Sequence, residues 1–179
     1  MPDTTFEALV ERHSSEIHAY LWRLLRDPEL ASDVLQDTFL RAWRAFPRLK
    51  HRAHLRAWLY TIATNRARSV QRARARLESY HSRLSAELAD PHPSASRQAA
   101  DRETRRRVLA AVDRLPAKQQ QALVLRRYQE LGYEEIAAIM GGTAEAARAN
   151  VHLAQARLRS WLSEDGGEGS RVERRRGAA

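Results

Sequence analysis

Between Thr38 and Leu77 the chain carries eleven basic side chains and not one carboxylate. Trp43, Trp58 and Tyr60 are interleaved with these bases. Guanidinium groups grip phosphates and aromatic faces hold unstacked bases, so this mixture is what binding to a single nucleic-acid strand requires. A solvated arginine-rich helix face is the plainer alternative. Forty residues without a compensating acid would repel themselves unless a polyanion were expected. Trp43 falls on an apolar helical stripe and reads as a core residue, while Trp58 and Tyr60 cannot both be core.

A second signal runs from Tyr133 to His152. A helix-turn-helix needs a small residue where its helices cross, and Ala137 supplies it; the turn needs a residue that tolerates positive φ, and Gly141 supplies that. Thr143 then caps the following helix, with Ala147 and Val151 facing inward. Arg148, Ala149 and His152 are left pointing outward near the helix start, where base edges are read in a major groove. The alternative is a helical hairpin that never touches DNA.

Asp33, Gln36 and Asp37 share one face of a helix that has no base between Asp27 and Asp37. No histidine completes a ligand set there, so a metal is not expected. His51 and His54 read as a solvated loop rather than a metal clip. The chain lacks cysteine, a nucleophile arrangement and a glycine-rich phosphate loop, so neither a cofactor nor an enzymatic activity is expected.

The elements that must position these groups are helices. Apolar residues from Phe6 to Leu25 recur at three- and four-residue spacing behind a capping box of Thr4 and Glu7. Asp27-Pro28 starts a second helix, with a stripe of Leu30, Val34, Leu35, Phe39, Ala42, Trp43 and Phe46 ending before Pro47. After a loop from Arg48 to His54, a third begins near Leu55 and reaches about Arg76, with Leu55, Leu59, Ile62 and Ala63 on one face. The pattern fades around Asp90-Pro91-His92-Pro93, which reads as a linker. Further helices are expected from near Thr104 to Leu115, from Ala117 to about Glu130, and on either side of a glycine turn. The glycine-rich segment after Leu162 is expected to be disordered.

The whole chain agrees with such a picture. Its 179 residues make one ordinary domain or two small ones, and its 31 bases against 22 acids leave a net charge of +9. Without cysteines a disulfide scaffold is excluded, and no apolar run approaches the ~20 residues of a membrane span. Met1 to Val10 lack the pattern of a signal peptide, so a soluble cytoplasmic protein without membrane insertion is expected.

The order of these parts resembles the sigma factors of bacterial RNA polymerase, in particular the small extracytoplasmic-function group of the sigma-70 family. The resemblance rests on the acidic helix from Asp33 to Trp43, the basic aromatic helix from Leu55 to Arg66, the linker, and Leu115-Pro116 leading into the helix-turn-helix. It covers roughly residues 6 to 76 and 104 to 162. It implies an all-α protein of two small helical domains on a flexible linker: region 2 in residues 1–78, a linker in 79–103, region 4 in 104–163 and a disordered tail in 164–179. Region 2 would bind the clamp helices of the beta-prime subunit and melt and read the minus-ten element. Region 4 would read the minus-thirty-five element and dock on the flap of the beta subunit.

Carried over by position, the resemblance implies that Asp33, Gln36 and Asp37 face the clamp, and that Lys50, Arg52 and His54 lie in the loop capturing a flipped base. Trp58, Tyr60, Asn65 and Arg66 would follow the adjoining strand, and Arg148, Ala149, Asn150 and His152 the upstream element. Promoter DNA, core polymerase and an anti-sigma factor are the partners it implies. Asp37 replaces the usual glutamate, Gly142 an apolar turn residue and Ala147 a common valine; the last two would loosen the packing of the recognition helix. The alternative is a helix-turn-helix regulator binding duplex DNA as a dimer. A nucleic-acid enzyme has little support, because no acidic metal cluster sits beside a basic groove.

Overall fold

A computed structural model describes the backbone of residues 5–49, 54–82 and 97–176, and the side chains of 5–49, 54–77 and 103–163 among them. Seven α-helices and one short 3₁₀ turn make up the described residues. The first, α1 (Phe6–Leu25), buries Leu9, Ile17, Tyr20, Leu21, Leu24 and Leu25, the stripe that its periodicity predicts. Its cap is Thr5, whose hydroxyl accepts from the Ala8 amide at 3.3 Å, one residue later than the Thr4 expected. Arg26 ends the helix in the left-handed conformation, φ 56°.

Asp27 caps α2 (Pro28–Ala45) by accepting from the Leu30 amide at 3.0 Å, with Pro28 preset for the first turn. This helix turns Ala31, Val34, Thr38 and Ala42 fully inward. Trp43 departs from its expected core position: it is 58% exposed. The inward line runs through Ala42 to Phe46, and the next residue along a helix is turned about 100° away, which carries Trp43 to the outer face. After the 3₁₀ turn Phe46–Arg48 comes α3 (Leu55–Ser82), packed on both α1 and α2 through Leu59, Tyr60, Ala63, Thr64 and Ala67. Its backbone continues to Ser82, six residues beyond the end near Arg76 that the sequence pattern suggests.

The second bundle comprises α4 (Arg97–Asp113), α5 (Ala117–Tyr128), α6 (Tyr133–Met140) and α7 (Ala144–Arg176). Helical backbone thus occupies parts of the segments read from sequence as linker and tail. At Gly166, Gly167 and Gly169 it costs about 1 kcal/mol per residue relative to alanine. Two turns set the geometry of α6. Glu130 takes a left-handed φ of 56° before it, and Gly141 takes φ 70° after it. The Gly142 amide then reaches back to the Ala137 carbonyl at 2.9 Å, closing the helix end.

The two bundles meet along a seam where α1 packs on α5 and α3 on α6. The bonds across it are polar. Tyr60 donates to Gln129 Oε1 at 2.7 Å, Arg68 to Gln121 Oε1 at 3.0 Å, Gln71 to Gln120 Oε1 at 3.0 Å, and Arg26 to Asp113 at 3.2 Å. A cavity of about 590 Å³ opens beside these bonds, lined by Leu24, Arg68, Arg72, Leu115 and Lys118 among others.

Candidate nucleic-acid and partner interfaces

The outer face of α2 follows from its inner one. With Ala31, Val34, Thr38 and Ala42 buried, Asp33, Gln36, Leu40 and Trp43 are left exposed together. Carboxylate, amide and large apolar surface side by side are a composition that protein interfaces use. Asp37, at the edge of this face, is already engaged. It accepts from Arg41 at 3.0 and 3.1 Å and forms an ion pair with Arg66 of α3. Sequence reasoning assigned Asp37 to one partner and Arg66 to another; the structure brings them together.

On α3, the expected strand path divides. Asn65 is exposed, Arg66 is partly covered, and Trp58 is half-buried with its ring 6.5 Å from that of Phe46. Tyr60 is a core residue, fully buried, with its ring edge-on to Tyr20 at 5.2 Å and its hydroxyl bonded to Gln129. Burial keeps that hydroxyl protonated far above the ordinary tyrosine range. This corrects the expectation that Tyr60 lies along the strand. Residues 59, 60, 63, 64 and 67 form the inward face, and Trp58 sits about 200° around the helix from Tyr60. His54 is exposed, and its carbonyl accepts the Trp58 amide at 3.0 Å. Lys50 and Arg52 lie outside the described residues.

In the second bundle the local signals and the geometry agree. Thr143 accepts from the Ala146 amide at 3.2 Å, and Ala147 and Val151 are buried at 4% and 2% exposure. Arg148, Ala149 and His152 are exposed on the outer side of α7. Asn150 is partly covered and its amide donates to the Ala146 carbonyl at 2.8 Å, so its nitrogen is tied to its own helix. Glu145, at the positive end of α7, is held below the usual carboxylate range first by its own backbone amide, then by Thr143, with a smaller contribution from Arg148. Among the described residues no cluster of His, Asp and Glu could hold a metal, and no helix is long and apolar enough to cross a membrane.

Comparison with known proteins resolves what this arrangement serves. Residues 9–77 match the family model of sigma-70 region 2, and residues 105–158 that of sigma-70 region 4. The chain is 35% identical to the RNA polymerase sigma factor CarQ of Myxococcus xanthus over 89% of its own length and 90% of that protein's. It is 30% identical to the ECF RNA polymerase sigma factor SigE of Mycolicibacterium smegmatis, over 92% of this chain and 64% of that one. The chain belongs to the extracytoplasmic-function sigma factors of the sigma-70 family. Its fold is similar to that of the sigma factor RpoE from Bartonella quintana, solved with the anti-sigma factor NepR, with a TM-score of 0.68 and 25% identity over 89% of this chain and 98% of that one.

As a sigma factor it directs RNA polymerase to promoters. Sequence reasoning missed two residues on the outer face of α2, Leu40 and Trp43. Leu40 lies about one helical turn beyond Gln36 and Asp37 and Trp43 about one turn beyond Leu40, and that spacing was the available signal. It also missed Tyr133, whose ring lies 5.0 Å from the guanidinium carbon of Arg126 and 5.1 Å from that of Arg148.

Proposed function

We propose that this sigma factor docks on polymerase through the outer face of α2 and reads the upstream promoter element through α7. Asp33, Gln36, Asp37, Leu40 and Trp43 form the polymerase face, which suits the basic clamp helices of the beta-prime subunit. Lys50, Arg52, His54, Trp58, Asn65 and Arg66 serve the minus-ten strand. Arg148, Ala149 and His152 contact the minus-thirty-five element, with Asn150 offering its carbonyl oxygen and its second amide N–H. The observation that carries the reading is the exposed Arg148–His152 edge, set on a helix whose turn, cap and inward residues all have helix-turn-helix geometry. The protein acts in the cytoplasm as a binding subunit, the catalytic site being that of polymerase. By analogy with RpoE and its partner NepR, an anti-sigma factor restrains it.

The decisive experiment is run-off transcription with core polymerase on genomic promoter fragments, with and without the sigma factor. Start sites that depend on it are expected, and binding of duplex DNA by the sigma factor alone, as a dimer, would favour an ordinary regulator instead. Asp33 makes no described bond, so Asp33→Arg tests the polymerase face without disturbing the fold. It is expected to weaken capture by core polymerase at least about tenfold with the helical circular dichroism unchanged. Undiminished capture would reduce that carboxylate to a solvating role.

A further inference from the structure

Tyr133 opens α6, partly buried, between two arginines that come from different helices. Arg126 of α5 is fixed by donating to the Leu131 carbonyl at 3.0 Å, and its guanidinium carbon lies 5.0 Å from the Tyr133 ring centre. Arg148 of α7 lies 5.1 Å from the same ring. Neither guanidinium bonds a carboxylate among the described contacts, so the ring is the principal neighbour that each shares.

A guanidinium over an aromatic ring is held through its face, whereas its N–H donors lie in its plane. Arg148 is held near the Tyr133 ring and bonds no carboxylate among the described contacts, so the N–H donors of its fork remain for a guanine edge, which is read in the guanidinium plane. A free arginine has many rotamers, and ordering one on DNA subtracts from the affinity gained; a side chain already held beside the ring loses less. Two cations beside one ring also repel each other, and a polyanion relieves that repulsion.

We propose that Tyr133 is a positioning residue for promoter recognition: it aims Arg148, so the preference at one base pair of the upstream element depends on the Tyr133 ring as well as on Arg148. This rests on the reading of Arg148 as a base contact.

The test uses the full-length sigma factor with core polymerase and a promoter library randomised in the upstream element. Arg148→Ala, Tyr133→Leu, Tyr133→Phe and the Tyr133→Leu/Arg148→Ala double variant are compared position by position. Tyr133→Leu is expected to relax preference by about two- to fivefold at the same base pair that Arg148→Ala affects, the scale of an exposed cation–ring contact. Tyr133→Phe, which keeps the ring, retains the preference, and the double variant loses no more than Arg148→Ala alone. Because preference is a ratio within one sample, a lower folded fraction does not alter it. Tyr133→Leu that leaves the preference intact, or weakens all sequences alike, overturns the proposal while the role of Arg148 stands. Arg148→Ala with no positional effect overturns the reading of Arg148, and the proposal with it.

Discussion

Glu16 shows how far a single charge can reach in this molecule. It sits on α1 and receives three hydrogen bonds from the Arg56 guanidinium of α3, at 2.9 to 3.2 Å, and one from His13 at 2.5 Å. Burial alone would push its carboxyl up, but the bonds from Arg56 and His13 outweigh burial and hold it below the usual value of 4.5. A carboxylate whose folded pKa is depressed stabilises the fold above its unfolded pKa, and the contribution disappears as pH falls through the folded value. Glu16→Gln is therefore expected to cost about 1–2 kcal/mol in urea unfolding at pH 7. Its difference from wild type should shrink once the pH drops below about 4.5; a constant difference across that range would assign the loss to packing. Asp37 likewise pairs with two bases of the acid-free block from Thr38 to Leu77, Arg41 and Arg66. That block is thus less bare than its sequence implies, since carboxylates outside it, Glu16 far along the chain and Asp37 at its border, neutralise part of it. A census of charge along the chain registers the basic excess and misses these partners.

At the scale of the element, what sequence could foresee depended on whether the signal was local. Ala137, Gly141, Thr143, Ala147 and Val151 each act within a few residues of their own position, and all stand where expected. The turn before α6 carries no such mark, because its left-handed residue is Glu130 rather than glycine. Trp43 was misplaced for a related reason: an apolar side chain beside an apolar stripe is assigned inward unless the neighbouring faces are compared. The two turns give opposite expectations. Glu130→Gly removes the steric penalty of φ 56° and should stabilise region 4 by about 0.5–1 kcal/mol after the entropic cost of glycine. Gly141→Ala introduces that penalty at φ 70°, with nothing within 4 Å of the new methyl group, and should destabilise by about 1 kcal/mol. Thermal melts of the two variants check both signs. A stabilised Gly141→Ala would mean that the turn relaxes out of its left-handed conformation.

For the whole molecule, sequence separated two helical bundles but gave no sign of the seam between them, whose glutamines at 119–121 and 129 have no hydrophobic periodicity to reveal a buried face. That seam is expected to open on a promoter. The minus-ten and minus-thirty-five elements are centred about 25 base pairs apart, or about 85 Å at 3.4 Å per pair. A compact body of 179 residues has a radius of gyration of only about 16 Å, too small for its two DNA-reading surfaces to reach both elements at once. The bonds that cross the seam join neutral amides, a hydroxyl and arginines, with one ion pair, Arg26–Asp113, and water can replace each of them at a net cost of about 1–3 kcal/mol. Binding to polymerase and promoter is therefore expected to open the seam and to expose Tyr60 on its region 4 side, where Gln129 now covers it. Because the chain has no cysteine, Glu11→Cys and Gln155→Cys, both at exposed helical positions, can carry a fluorescent pair without further substitution. Energy transfer should be efficient in the free protein and fall on assembly with core polymerase and promoter DNA. Transfer that remains unchanged in the promoter complex would mean that the bundles stay together, and that one of the two surfaces does not reach its element.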